Sequence, residues 1–137
     1  MKNNLIRIFI VARSKQDWQR LSNLVGLVND VEIVQRREDA IETADVVQEE
    51  MPDVLILDID LPRGEGIALL KQVHLQNPTL AVIVLSYYSS PQYRKICEHA
   101  VAAYFFDKST EFQQIPVIME NLAQQRYSKY YVSNYLQ

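Results

Sequence analysis

The stretch PDVLILDIDLPRGEG, residues 52–66, decides the fold. It opens with a proline that cannot continue a preceding helix and runs through four consecutive aliphatic residues, VLIL at 54–57. It then changes to aspartate at 58 and 60, followed by Pro62, Gly64 and Gly66. A short continuous apolar run bounded by turn signals is a strand covered on both faces, as in a parallel sheet. A carboxylate directly after such a run stands at the rim of the sheet.

Four further strand candidates are residues 5–11 (LIRIFIV), 31–34 (VEIV), 81–85 (AVIVL) and 101–106 (VAAYFF), all but the second of these nearly continuous in apolar residues. Helical spacing fills the intervals. Trp18, Leu21, Val25 and Val28 share one face, with Ser14 as N-cap and Asp17 three residues on. Ile41, Ala44, Val47 and Met51 share a second, stopped by Pro52. Ile67, Leu70 and Val73 form a third, which runs out at Asn77-Pro78. Ser90 and Pro91 open a fourth, aligning Tyr93, Ile96, Cys97 and Ala100. A fifth follows residue 106, with Thr110 and Gln113 as a capping box and the regular part beginning near 115 because of Pro116. Strand and helix alternating five times predicts a flavodoxin-like doubly wound (βα)5 fold, a parallel sheet between two helical layers. We expect one domain over residues 1–125 and a tyrosine-rich extension of the last helix over 126–137.

At 137 residues the chain has room for one well-filled core. A net charge of −3 gives no electrostatic reason to expect nucleic acid or an anionic membrane as partner. One cysteine, Cys97, forms no internal disulfide. The apolar run near the N-terminus is interrupted by Arg7 and lacks a small-residue cleavage site, and no run approaches the ~20 apolar residues of a membrane span. A cytoplasmic location is therefore expected. His74 and His99 have no metal-like spacing and read as solvated helix residues.

In a doubly wound sheet, ligands lie at the carboxyl ends of the strands. Those ends carry Ala12-Arg13, Asp58, Ser86 and Lys108, so a carboxylate, a hydroxyl and an ammonium are expected on one rim. A phosphoryl group on Asp58 would find a hydrogen bond from Ser86 and an ion pair from Lys108.

With these residues in order, PDVLILDIDLPRGEG, VIVLS (82–86) and YFFDKS (104–109) together resemble the response-regulator receiver domains, over about residues 5–124. The resemblance implies Asp58 as phosphoacceptor and Ser86 as the switch hydroxyl that follows the phosphoryl group. It implies Lys108 as the lysine that pairs with that group and Phe105 as the aromatic of a rotameric switch. The backbone carbonyl of Asp60 would ordinarily reach a Mg²⁺ ion that Asp58 also holds.

The chain departs from that family in three places. The family's first strand ends in two acids that hold Mg²⁺ with the acceptor; here Ala12 supplies no ligand and Arg13 supplies a cation. Mg²⁺ is thus a doubtful cofactor. Tyr87 follows Ser86 where the family has a small residue, and Ser109 follows Lys108 where it has proline. Two readings of Arg13 stay open. Its guanidinium stands in for the metal, so that Asp58, between Arg13 and Lys108, is held ionised; or it points to solvent.

Tyr127, Tyr131 and Tyr135 repeat every four residues, with Tyr130 beside them, and would offer an aromatic stripe to a partner or a second copy of the chain. No helix-turn-helix or catalytic output pattern follows the last helix. The resemblance then implies a stand-alone receiver, addressed by a sensor histidine kinase or phosphotransfer protein and acting on a downstream protein through its fourth and fifth helices. Two other classes compete: a small hydrolase or phosphatase with Asp58 as nucleophile, and a flavin binder. The latter lacks a glycine-rich loop after the first strand, which reads ARSKQDW.

Overall fold

The computed structural model describes residues 5–88, 90–99 and 104–135, the last ten of these by backbone course alone. The strands are β1 (Ile6–Val11), β2 (Val31–Arg37), β3 (Val54–Asp58), β4 (Ala81–Ser86) and β5 (Tyr104–Asp107). They form one sheet in the order β2-β1-β3-β4-β5, with every pairing parallel. The helices are α1 (Lys15–Val25), α2 (Thr43–Glu50), α3 (Glu65–Gln76), α4 (Pro91–His99) and α5 (Gln114–Tyr135). This is the three-layer flavodoxin-like arrangement that the alternation predicts.

Two apolar cores flank the sheet, because the central strands bury both faces. On one side Phe9, Val11, Leu55, Leu57, Val82 and Val84 meet Val47 of α2, Leu69, Leu70 and Val73 of α3, and Cys97 of α4. On the other, Ile8, Ile10, Ile56, Ile83 and Leu85 meet Leu21 and Val25 of α1 with Phe112, Ile115 and Met119 at and inside α5. Each fully buried aliphatic side chain contributes about 1.5–3 kcal/mol relative to exposure, so the two faces dominate stability.

Local chemistry sets the helix ends. Ser14 caps α1, accepting the backbone N–H of Asp17 at 3.2 Å. Ser90 serves α4 likewise, accepting from Tyr93 N at 3.2 Å. Gly66, in the first turn of α3, lies so close to the β3 loop that an added Cβ would stand 2.2 Å from the carbonyl oxygen of Ile59. This close approach ties α3 to the segment carrying Asp60.

Several expectations are corrected. Ile41 and Met51 lie outside α2 and are 70% and 74% exposed, since left-handed residues (Glu42, φ 57°, and Met51, φ 50°) bound that helix. Ile96 is 52% exposed and does not share the buried face of Cys97. Val28 is buried but follows the end of α1. The chain before α5 forms no Thr110–Gln113 box. There the Asp107 carboxylate accepts Ser109 N, and Glu111 accepts Asp107 N at 2.9 Å. Residues 101–103, including the start of the expected fifth strand, lie outside the described residues. So do Ala100 and the side chains of Tyr127, Tyr130, Tyr131 and Tyr135.

Candidate functional site

Asp58 ends β3, Ser86 ends β4, and Lys108 directly follows β5. In the parallel register Asp58 lies beside Leu85 and Ser86 beside Asp107, which brings the three ends to one rim. Backbone bonds fix the loops there: Lys108 N donates to Ser86 O at 2.9 Å, and Ile59 N to Leu85 O at 3.0 Å. Asp58, Ser86 and Lys108 are 4%, 0% and 3% exposed. Polar groups buried this deeply require partners.

They find them in one another. Lys108 Nζ lies 2.7 Å from Asp58 Oδ2, 3.4 Å from Asp17 Oδ2 and 3.6 Å from Asp60 Oδ2. The other oxygen of Asp58, Oδ1, accepts the backbone N–H of Asp60 at 3.0 Å. Asp60 Oδ1 accepts the Ser86 hydroxyl at 2.6 Å, and its Oδ2 accepts Tyr87 N at 2.8 Å. Ser86 Oγ in turn accepts Tyr88 N at 2.9 Å.

Burial raises the pKa of Asp58 above the usual carboxylate value; the Lys108 hydrogen bond and charge oppose this without overcoming it. Burial alone would depress Lys108, but its hydrogen bond to Asp58 and the charges of Asp58, Asp17 and Asp60 prevail and raise it. One of the two readings of Arg13 places Asp58 between two cations. Arg13 brings no second cation to it: its side chain is exposed and makes no ion pair among the described residues. Ala12 is fully buried. Of the two readings of Arg13, the structure has the one directed to solvent.

Tyr87 is 55% exposed, and its ring lies over the Lys108 ammonium, 4.5 Å from centroid to Nζ. Phe105 is 7% exposed. It packs edge-on against Tyr93 at 6.2 Å and beneath the Arg94 guanidinium at 4.8 Å. Arg94 also donates to Phe105 O at 3.1 Å and pairs with Glu111. No cis peptide bond occurs among the described residues, the bond after Lys108 included.

The residues present do not fit Mg²⁺. Both oxygens of Asp58 and both of Asp60 already accept hydrogen bonds or an ion pair. The ammonium of Lys108 holds the centre of the three carboxylates, and the first strand ends in Ala12-Arg13. Among the described residues no group of three or more His, Cys, Asp or Glu side chains is disposed to hold a metal.

Two participants were not found from sequence. Asp17 was read only as a capping-box residue, and Asp60 only through its backbone carbonyl. The available signal was position: Asp17 lies in the first turn after β1, and Asp60 lies two residues beyond β3, both on the carboxyl rim.

Among curated proteins, the chain is 36% identical over 78 residues to protein-glutamate methylesterase/protein-glutamine glutaminase 3 of Rhodopseudomonas palustris (strain BisB18), covering 57% of this chain and 21% of that protein. It is 34% identical over 82 residues to a protein of the same description in Leptospira interrogans, covering 60% and 24%. The chain thus spans between a fifth and a quarter of the length of these relatives. Among solved structures it is similar to the response regulator domain of Thermotoga maritima CheB, with 25% identity, a TM-score of 0.74 and coverage of 89% and 96%. The isolated REC domain of Salmonella enterica serovar Typhimurium RcsB, in the presence of the phosphomimetic BeF3−, shares the fold at a TM-score of 0.79, with 20% identity and coverage of 88% and 89%. The family described as the response regulator receiver domain matches residues 8–120. Because that match spans most of the chain, this protein belongs to the response-regulator receiver family.

Proposed function

We propose that this receiver domain works in two-component or phosphorelay signalling by protein contact, without Mg²⁺-dependent transfer of a phosphoryl group to Asp58. The observation that carries this reading is the state of Asp58. It is buried, hydrogen-bonded through both oxygens, and paired with Lys108 at 2.7 Å. An attacking carboxylate oxygen would have to leave one of these bonds, and Ala12-Arg13 after the first strand supplies no acid to gather a metal that would neutralise the incoming phosphate. Asp58 retains the phosphoacceptor position of its family, Ser86 that of the switch hydroxyl, and Lys108 that of its partner lysine. Ala12 and Arg13 replace the metal-binding acids.

The partners that suit a receiver are a sensor histidine kinase or phosphotransfer protein on one side and a downstream protein on the other, in the cytoplasm. No helix among the described residues is long and apolar enough to cross a membrane. The surface of α4 and α5 supports contact with the downstream protein, because Ile96 on the first and Val117 on the second are large apolar side chains left 52% and 49% exposed.

The test is incubation with Mg²⁺ and acetyl phosphate, followed by intact-mass spectrometry. The mass stays unchanged if this reading holds. Ready, metal-dependent addition of a phosphoryl group to Asp58 defeats it.

A further inference from the structure

Three donors from two different strand ends converge on the side chain of Asp60. The Ser86 hydroxyl donates at 2.6 Å, the Tyr87 backbone N–H at 2.8 Å, and the Lys108 ammonium stands 3.6 Å away. The direction of the serine bond follows from its neighbours. Tyr88 N donates to Ser86 Oγ, and a carboxylate oxygen only accepts, so the single hydroxyl proton points at Asp60. A hydroxyl facing one oxygen of a carboxylate, with a backbone amide and an ammonium facing the other, forms a site for an oxyanion. Here the chain supplies that oxyanion itself.

We propose that the Asp60 carboxylate is a built-in occupant of an oxyanion site. It competes with any phosphate or phosphoryl oxygen and holds Ser86 and the Tyr87–Tyr88 turn in the position that such an oxygen would otherwise impose. This inference deepens the reading of Asp58 as an acceptor that takes up no phosphoryl group, and rests on it. The occupant has a way out: Asp60 lines a cleft of about 400 Å³ bordered also by Leu61, Ile67, Tyr87, Tyr88 and Tyr93. The local charge supports the competition. Asp17, Asp58 and Asp60 share the one ammonium of Lys108, so a further anion is repelled while Asp60 stays in place.

The test uses the whole chain without metal or phosphodonor, so its failure is distinct from a failure of the acetyl phosphate experiment. Inorganic phosphate is titrated into the unaltered protein and into Asp60→Ala, at ionic strength matched with chloride, while the Ser86, Tyr87 and Tyr88 amide resonances are followed. The variant should bind at least about tenfold more tightly than the unaltered protein, the discrimination expected of one charge-assisted hydrogen bond. Equal affinity, or no saturable shift in the variant, overturns the proposal. Should the alanine variant not fold, Asp60→Ser takes its place in the same titration. Independently, the unaltered protein should show a scalar coupling across the bond between Tyr87 N–H and the Asp60 carboxyl carbon, and its absence also overturns the proposal.

Discussion

Lys108 Nζ stands 2.7 Å from Asp58 Oδ2 although the residues are 50 apart in sequence, and the two side chains are only 4% and 6% exposed. Removing one member of such a pair leaves a buried charge uncompensated, which costs far more than the pair contributes over a neutral replacement. Lys108→Met should therefore destabilise the protein by about 3–5 kcal/mol in urea unfolding. Adding Asp58→Asn to it should recover part of that loss. A double variant whose cost equals the sum of the two single costs would contradict the pairing.

Gly66 has no room for a methyl group. Its Cβ would meet the backbone of Ile59 at 2.2 Å and 2.7 Å, and no side-chain rotation relieves a clash with main chain. Gly66→Ala should cost at least about 1–3 kcal/mol, and it should also shift the amide resonances of Asp60 and Tyr87, because α3 would be pushed from the loop that carries the site. Unchanged stability would show that α3 does not pack this closely.

Acid unfolding should involve Glu111. The Asp107 backbone N–H, and after it the Arg94 guanidinium, hold its carboxyl below the usual value of 4.5. A lowered folded pKa contributes stability that is present above about pH 4.5 and is lost as pH falls through the folded value. Glu111→Gln should flatten the stability profile in that acidic window, measured as urea midpoints from neutral to acidic pH. Parallel profiles for the two proteins would contradict the assignment.

Cys97 is fully buried, and burial pushes its thiol up to about 11. At mildly alkaline pH it should react with a thiol reagent only through opening of the fold, so its rate should rise with denaturant alongside unfolding. Rapid modification of the native protein would show that α4 does not cover it.

The central strands were legible in the sequence because a strand buried on both faces has to be continuously apolar, as residues 54–57 and 81–85 are. β2 was seen only in part. It lies at the sheet edge, where Gln35, Arg36 and Arg37 are tolerated, so the apolar signal ended before the strand did. The positions of Asp58, Ser86 and Lys108 followed from strand ends alone. The directions of Arg13, Asp17 and Asp60 did not, because no periodicity governs a loop or a first helical turn, and competition among neighbouring charges decides where each side chain points. Ile41 and Met51 were misplaced for a related reason: left-handed backbone at Glu42 and Met51 closes α2 where the apolar spacing alone would extend it.

At the rim Asp58 is already paired with Lys108, and β1 is followed by Ala12-Arg13, without an acid to gather a metal. Calorimetric titration of Mg²⁺ into the unaltered protein and into the Ala12→Asp/Arg13→Asp variant measures this directly. The unaltered protein should give no saturable heat, and the variant, with two acids restored at the end of β1, should bind. Saturable Mg²⁺ binding by the unaltered protein, abolished by Asp58→Asn, would contradict the account.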